Sequence, residues 1–209
     1  IHGIMEATVT VSCLGLCPSS NCLVVDIVPG LRFLVDCPIE PAGFFSFPVL
    51  GVGSSLNASI YDEVSGRQHV HICQLDAVDP ATIDCVLITN AYNMLGLPYL
   101  VRDGSGFRGQ ILATEPTAQH GKLLMQELAE YLSGTLSPAD AESAKMSFTP
   151  GLGPARTAYS AAEATAAAEL ITRLAYGQSR ALPGGYSCTP SSSGLSLGAA
   201  NWLIAAPGR

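Results

Sequence analysis

The sequence predicts an α/β fold: a layered domain built on a mixed sheet, incomplete in this chain. Three observations carry that reading. Short apolar, β-branched runs flank a Pro-Gly turn; later strands run directly into capped helices; and the composition is apolar enough for a sizeable core. The chain has 209 residues, 48% hydrophobic and only 13% charged. That length suits one domain, and that balance excludes a disordered chain. A formal net charge of −7 lacks the basic excess of an autonomous nucleic-acid binder.

The elements follow in order. Residues 7–13 alternate, with Val9 and Val11 on one face of a strand. Residues 22–28 and 31–37 flank Pro29-Gly30 and form a hairpin. Residues 38–66 are rich in Pro, Gly and Ser and read as a surface loop. A short strand at 69–73 precedes Asp79-Pro80, which opens a helical turn or loop before a strand at 85–89. Residues 110–113 form a strand, and Thr114-Glu115-Pro116-Thr117 starts a helix with a hydroxyl cap and an early proline. This helix runs to about Tyr131 or Leu132, with Leu124, Leu128 and Leu132 as its apolar stripe.

Residues 134–158 read as a second surface loop. Ser160-x-x-Glu163 is a capping box for an alanine-rich helix with Leu170, Ile171 and Leu174 on its inner face, ending near Gly177. Strands at 186–189 and 195–205 surround Ser191-Ser192-Ser193-Gly194. The chain starts at Ile1, with Met5 an alternative start, and stops at Pro207-Gly208-Arg209. Both ends read as cuts in something longer. No signal peptide is visible, and no run of about 18 apolar residues predicts a membrane span.

Seven cysteines (Cys13, Cys17, Cys22, Cys37, Cys73, Cys85 and Cys188) read as buried free thiols of a reducing compartment. Cys13, Cys17 and Cys22 lack the second close pair of a structural zinc cluster.

One succession of motifs carries a resemblance. Val35-Asp36-Cys37 is followed by Asp84-Cys85-Val86-Leu87-Ile88-Thr89-Asn90, Leu97-Pro98-Tyr99-Leu100 and Ala113-Thr114-Glu115-Pro116-Thr117. Then come Thr189-Pro190-Ser191 and Gly194-x-x-Leu197-Gly198-Ala199-Ala200-Asn201-Trp202. Over roughly residues 22–37, 79–132 and 159–204 the chain resembles the metallo-β-lactamase domain of the β-CASP nucleases, in their RNA 3′-end-processing branch. The resemblance implies a metallo-β-lactamase-like αββα sandwich with mixed sheets. Residues 1–209 would be its N-terminal part, without the β-CASP insert and C-terminal region.

Active members of that family carry His-x-His-x-Asp-His after the strand. Two zinc ions need several imidazole and carboxylate donors to clamp a phosphodiester and sharpen a bound water into hydroxide. Here the matching positions are Asn90, Tyr92, Met94 and Leu95, in a loop two residues shorter before Leu97-Pro98. Leu195 stands where a later histidine ligand belongs, while the family aspartate survives as Asp36. Amide, thioether and alkyl groups do not replace imidazole on zinc. Asp36 is expected to satisfy backbone donors instead of supporting a metal.

The resemblance therefore implies a non-catalytic subunit with no catalytic or metal residues and no cofactor. It implies pairing with a catalytic β-CASP homologue, Integrator subunit eleven, and with other subunits of the nuclear Integrator complex. That complex acts on small nuclear RNA 3′ ends and RNA polymerase II transcripts; this chain would touch RNA only indirectly and no membrane. Two alternatives stay open. One is an active zinc-dependent RNA endonuclease or hydrolase, with zinc ligands from the missing C-terminal part or an unusual set such as His69, His71 and Asp36. The other is the non-catalytic subunit of the cleavage and polyadenylation complex.

Blander readings apply residue by residue. Met94, Leu95 and Leu197 read as core, and Asn90 and Tyr92 as residues that cap the turn and fill the emptied pocket. His120 reads as surface, Ser191-Ser192-Ser193 has no triad context, and Gly151-Leu152-Gly153 lacks the strand and helix of a nucleotide loop.

Overall fold

The structure is a computed structural model that describes residues 8–15, 21–40, 70–135, 155–156 and 159–208. β1 (Thr8–Cys13), β2 (Leu23–Val28) and β3 (Leu31–Val35) form an antiparallel meander. Gly30 supplies the left-handed φ of +124° at the tip of the predicted hairpin. β3 then pairs in parallel with β6 (Cys85–Leu87), β6 with β7 (Gln110–Thr114) and β7 with β9 (Ile171–Leu174). The result is one six-stranded mixed sheet in the order β1-β2-β3-β6-β7-β9.

β4 (Ile39–Glu40), β5 (Val70–Ile72) and β8 (Ala155–Arg156) make a small side sheet. β10 (Arg180–Ala181), β11 (Ser187–Ser192) and β12 (Ala200–Ala205) make an antiparallel second sheet. The helices are α1 (Leu97–Val101), α2 (Glu115–Thr135) and α3 (Ala161–Glu169).

Period-two alternation sends the central strands into two cores. Leu34, Val86, Ile88, Ile111 and Ala113 meet the helices, through Met94, Leu97, Met125, Ala164 and Ala168. Leu31, Phe33, Cys85, Leu87 and Leu112 meet the second sheet, through Leu182, Tyr186 and Cys188. Strands covered on both faces read as unbroken apolar runs, as Val86-Leu87-Ile88 does. A fully buried Leu or Ile is worth about 1.5–3 kcal/mol, so this double layer dominates stability. Among the described residues these layers give the αββ part of the expected αββα sandwich.

Several expectations are corrected. The capping box on α3 is present: Ser160 N–H donates to Glu163 Oε2 at 2.7 Å and Glu163 N–H to Ser160 Oγ at 3.2 Å. The helix nevertheless ends at Glu169, where the Leu170 N–H turns back to Ala167 and Ala168. Leu170 is exposed, and Ile171–Leu174 forms the strand β9 instead of an inner helix face. Its β-branched Ile171 and Thr172 satisfy the open edge of β7. Gly177 lies in the turn beyond β9, donating to the Pro190 carbonyl at 2.8 Å.

α2 runs on to Thr135, and its buried line is Ala118, Gly121, Met125 and Ala129, with Leu128 at the margin. Leu124 is only half-buried, and the Leu132 side chain lies outside the described residues. The predicted leucine stripe is therefore displaced around the helix. The last strand starts at Ala200, not at residue 195. Within the loop predicted for 38–66, residues 39–40 are strand; within that for 134–158, residues 134–135 end α2 and 155–156 are strand. Residues 41–69 and 136–154, with Gly151-Leu152-Gly153, lie outside the described residues. Cys22, Cys37, Cys73, Cys85 and Cys188 are buried free thiols, Cys13 is exposed, and Cys17 lies outside the described residues.

Candidate functional site

Active α/β folds place ligands beyond the C-terminal ends of their parallel strands, where loops converge. In this chain β3 and β6 deliver Asp36 and the 88–96 turn to that edge. Asp36 is buried at 3% exposure, with a left-handed φ of +64°. The small polar side chain of Asp tolerates that conformation. Its N–H donates to the Leu87 carbonyl at 3.0 Å, fixing the corner to β6.

Both carboxylate oxygens face inward. Oδ1 accepts the Thr89 N–H at 2.7 Å. Oδ2 accepts the Thr89 hydroxyl at 2.7 Å and the Asn93 side-chain amide at 2.8 Å. Burial pushes the Asp36 carboxyl up to about 6, against the three hydrogen bonds from Thr89 and Asn93 that favour the anion.

Asn90 caps the short 3-10 turn Ala91–Met94. Its Oδ1 accepts the N–H groups of Tyr92 at 3.0 Å and Asn93 at 3.2 Å, and its Nδ2 donates to Thr89 Oγ1 at 3.2 Å. Short polar residues are favoured at such caps for this reason. The turn is clasped back to β3 by Cys37 N–H to Asn93 O and Gly96 N–H to Cys37 O, each 2.7 Å. A Cβ on Gly96 would sit 2.7 Å from the Cys37 carbonyl, so only glycine permits this approach.

The other expected positions do not converge on a pocket. Met94 is fully buried and fills the space over Gly121 of α2, where a Cβ would collide with the Met94 sulfur. Leu95 packs only partly against the core. Tyr92 is 66% exposed and does not fill the emptied pocket. Leu195 and Leu197 are 75% and 72% exposed, so Leu197 is not core. His120 is exposed, as the sequence suggests. His69 and the side chain of His71 lie outside the described residues.

A second loop closes the same edge. The Gly198 carbonyl accepts both Thr114 Oγ1 at 2.6 Å and Thr117 Oγ1 at 2.9 Å. Ala200 N–H donates to the Thr89 carbonyl at 2.8 Å, Trp202 Nε1–H to the Ile88 carbonyl at 3.0 Å, and the Tyr176 hydroxyl to the Ala199 carbonyl at 2.9 Å. Gly198 has φ +85°, and a Cβ there would lie 2.6 Å from the Thr117 nitrogen. Asn93 and Gly121 are not singled out from sequence, and Thr89, Thr114, Thr117 and Gly198 enter there only within motifs, not as hydrogen-bond partners. A glycine inside a strong helix pattern was the available signal for Gly121.

These side chains do not fit a dinuclear zinc centre. The Asn90 amide oxygen and both Asp36 oxygens are spent on donors of the turn itself, and the Met94 thioether is packed in the core. Among the described residues, no group of three or more His, Cys, Asp or Glu is placed to hold a metal ion. The arrangement holds a loop in one shape; its chemistry is that of a self-satisfied hydrogen-bond network.

Several known proteins are similar to this chain. The chain is 35% identical over 199 residues to Integrator complex subunit 9 of Gallus gallus, covering 86% of this chain and 30% of that one. It is 34% identical over 142 residues to Integrator complex subunit 9 of Homo sapiens, covering 63% of this chain and 21% of that one. The chain thus spans about a third or less of the length of the curated relatives it matches. A solved metallo-beta-lactamase with a HARLDQ motif from Cronobacter sakazakii overlays 90% of this chain and 49% of its own, at 14% identity and a TM-score of 0.43. Residues 57–208 match the metallo-beta-lactamase superfamily domain model. With that match and the two-sheet architecture beneath it, the chain belongs to the metallo-beta-lactamase superfamily.

Proposed function

We propose that this chain is part of a non-catalytic, nuclear subunit of an Integrator-type complex. It pairs with a catalytic β-CASP homologue, Integrator subunit eleven, and serves small nuclear RNA 3′-end processing and the cleavage of RNA polymerase II transcripts. Its similarity to proteins named Integrator complex subunit 9 supports that reading. One observation carries the non-catalytic part. The ligand positions hold Asn90, Tyr92, Met94 and Leu95, and the surviving Asp36 is consumed by Thr89 and Asn93. A carboxylate with three donors inside the protein has little left to orient a metal ligand. The fold is kept as a scaffold, and the edge that carried chemistry is turned into a rigid surface.

The test uses the full-length protein containing this chain, tagged in nuclear extract and also purified alone. Affinity capture should return the catalytic homologue with other Integrator subunits. The purified protein should hold far less than one zinc per chain by elemental analysis and leave RNA intact. Near-stoichiometric zinc lost on His69→Ala, with chelator-sensitive RNA cleavage, would replace this reading with the active hydrolase. Capture of cleavage and polyadenylation subunits instead would move the protein to that complex.

A further inference from the structure

β1 is an edge strand: it pairs with β2 on one side and, among the described residues, with no strand on the other. All six of its residues are exposed. An open edge presents a row of unpaired N–H and C=O groups, and proteins usually blunt it with a charge, a proline, a bulge or a very short strand. Thr8-Val9-Thr10-Val11-Ser12-Cys13 has no charged residue, proline or glycine. Its register with β2 runs without a bulge from Thr8 opposite Val28 to Cys13 opposite Leu23. Asp26, opposite Thr10, is neutralised by Arg32 at 3.0 Å.

The outer strands β9 and β12 differ. β9 has only four residues, and its Arg173 is held by Glu115 at 3.0 Å. β12 is partly buried, and the N–H of its first residue, Ala200, is spent on the Thr89 carbonyl at 2.8 Å. On β1 the uncovered side chains continue apolar rows of the sheet. Val9 lies opposite Ile27, which lies opposite Leu31; Val11 lies opposite Val25, which lies opposite Phe33. Leu31 and Phe33 belong to the second core, with Val25 and Ile27 packed against it. The rows run outward through β2 and end at Val9 and Val11, which are 57% and 58% exposed.

We propose that β1 is a self-association edge: two copies of this chain pair β1 with β1, antiparallel, across a twofold axis normal to the sheet. The strand is self-complementary in that arrangement. Residues opposite one another in an antiparallel pair point to the same face, so Val9 and Val11 meet the valines of the second copy while Thr8, Thr10 and Ser12 meet hydroxyls. The two six-stranded sheets join into one, and the apolar rows of each second core run on into the other copy. Charge points to the same place. The chain carries a formal net charge of −7, so two copies repel each other least where the surface is neutral, as β1 is. A six-residue strand pair is small against the about 1,200–2,000 Å² of a stable interface, so the dimer is weak and forms reversibly with rising concentration.

The experiment takes the purified full-length protein through sedimentation equilibrium over a wide concentration range, with hydrogen exchange at both ends of it. The expected result is a monomer–dimer equilibrium in which the β1 amides exchange fast in dilute protein and at least several-fold more slowly when concentrated. Val11→Lys and Val11→Glu each place like charges across the twofold axis, and each should leave the protein monomeric. Because Val11 is exposed, both variants should keep the wild-type circular dichroism and thermal midpoint. Mixed in equal amounts they should restore the dimer, a rescue that a purely structural role for Val11 would not produce. Should Val11→Lys fold poorly, Thr10→Lys on the opposite face serves in its place, with Thr10→Glu as its partner. A protein that stays monomeric throughout, a dimer that survives both charge variants, a mixture that fails to associate, or β1 protection that does not change with concentration would each overturn the proposal. The last outcome would mean that another segment or partner already covers the edge.

Discussion

Asp36 is the residue on which the turn depends. Its folded-state value lies above the ordinary carboxylate value, about 6 against 3.8. The folded chain therefore holds this proton more tightly than the unfolded chain. The stabilisation is full below about pH 4 and is lost as pH rises through about 6. For a group this deeply buried the difference corresponds to roughly 3 kcal/mol. Asp36→Asn removes the titration while keeping an oxygen for the Thr89 N–H. Urea midpoints between pH 4 and 7 should show the variant gaining on the wild type by up to roughly 3 kcal/mol as pH rises. A difference that stays flat with pH would contradict this account. The sequence leads one to expect backbone donors at Asp36; the Thr89 N–H is one, but the Thr89 hydroxyl and the Asn93 amide are side chains. These partners lie 53 and 57 residues away in sequence, so no local signal announces them.

At the scale of elements, α2 and the Ala91–Met94 turn are fitted to each other through Gly121. Gly121→Ala should gain up to about 1 kcal/mol of helix propensity. The collision with Met94 should outweigh it, for a net loss of about 1–3 kcal/mol. Because Met94→Ala opens the same space, the double variant should be less destabilised than the sum of the singles, as read from urea midpoints. α3 depends on its start. Ser160→Ala removes the acceptor of the Glu163 N–H and should lower stability by about 1 kcal/mol, seen in the thermal midpoint. This capping box was legible because capping is local. The helix end was not: Ile171 and Thr172 also suit a helix face, and only the open edge of β7 makes them a strand.

For the molecule as a whole, the two cores give the central strands a protection that the edge lacks. β6 is buried at every residue, whereas β1 is exposed at every residue. Hydrogen exchange should therefore be slowest at the β6 and β7 amides and fastest in β1. Equal protection across the sheet would count against the layered arrangement. The Trp202 bond to the Ile88 carbonyl and the Ala200 bond to the Thr89 carbonyl hold the second sheet against the edge where the pocket would open.

The sequence by itself determined the elements whose signals are local: the Pro29-Gly30 hairpin, the apolar run Val86-Leu87-Ile88, the start of α2, and the absence of histidine from residues 88–100. Chain-local stereochemistry and the donor chemistry of each side chain are enough for those. Tertiary structure decided which face of α2 is buried, that Leu197 is exposed, and that Thr89 and Asn93 close on Asp36. Each of these depends on a partner brought from elsewhere in the chain, and burial is a property of such pairings that no single segment carries.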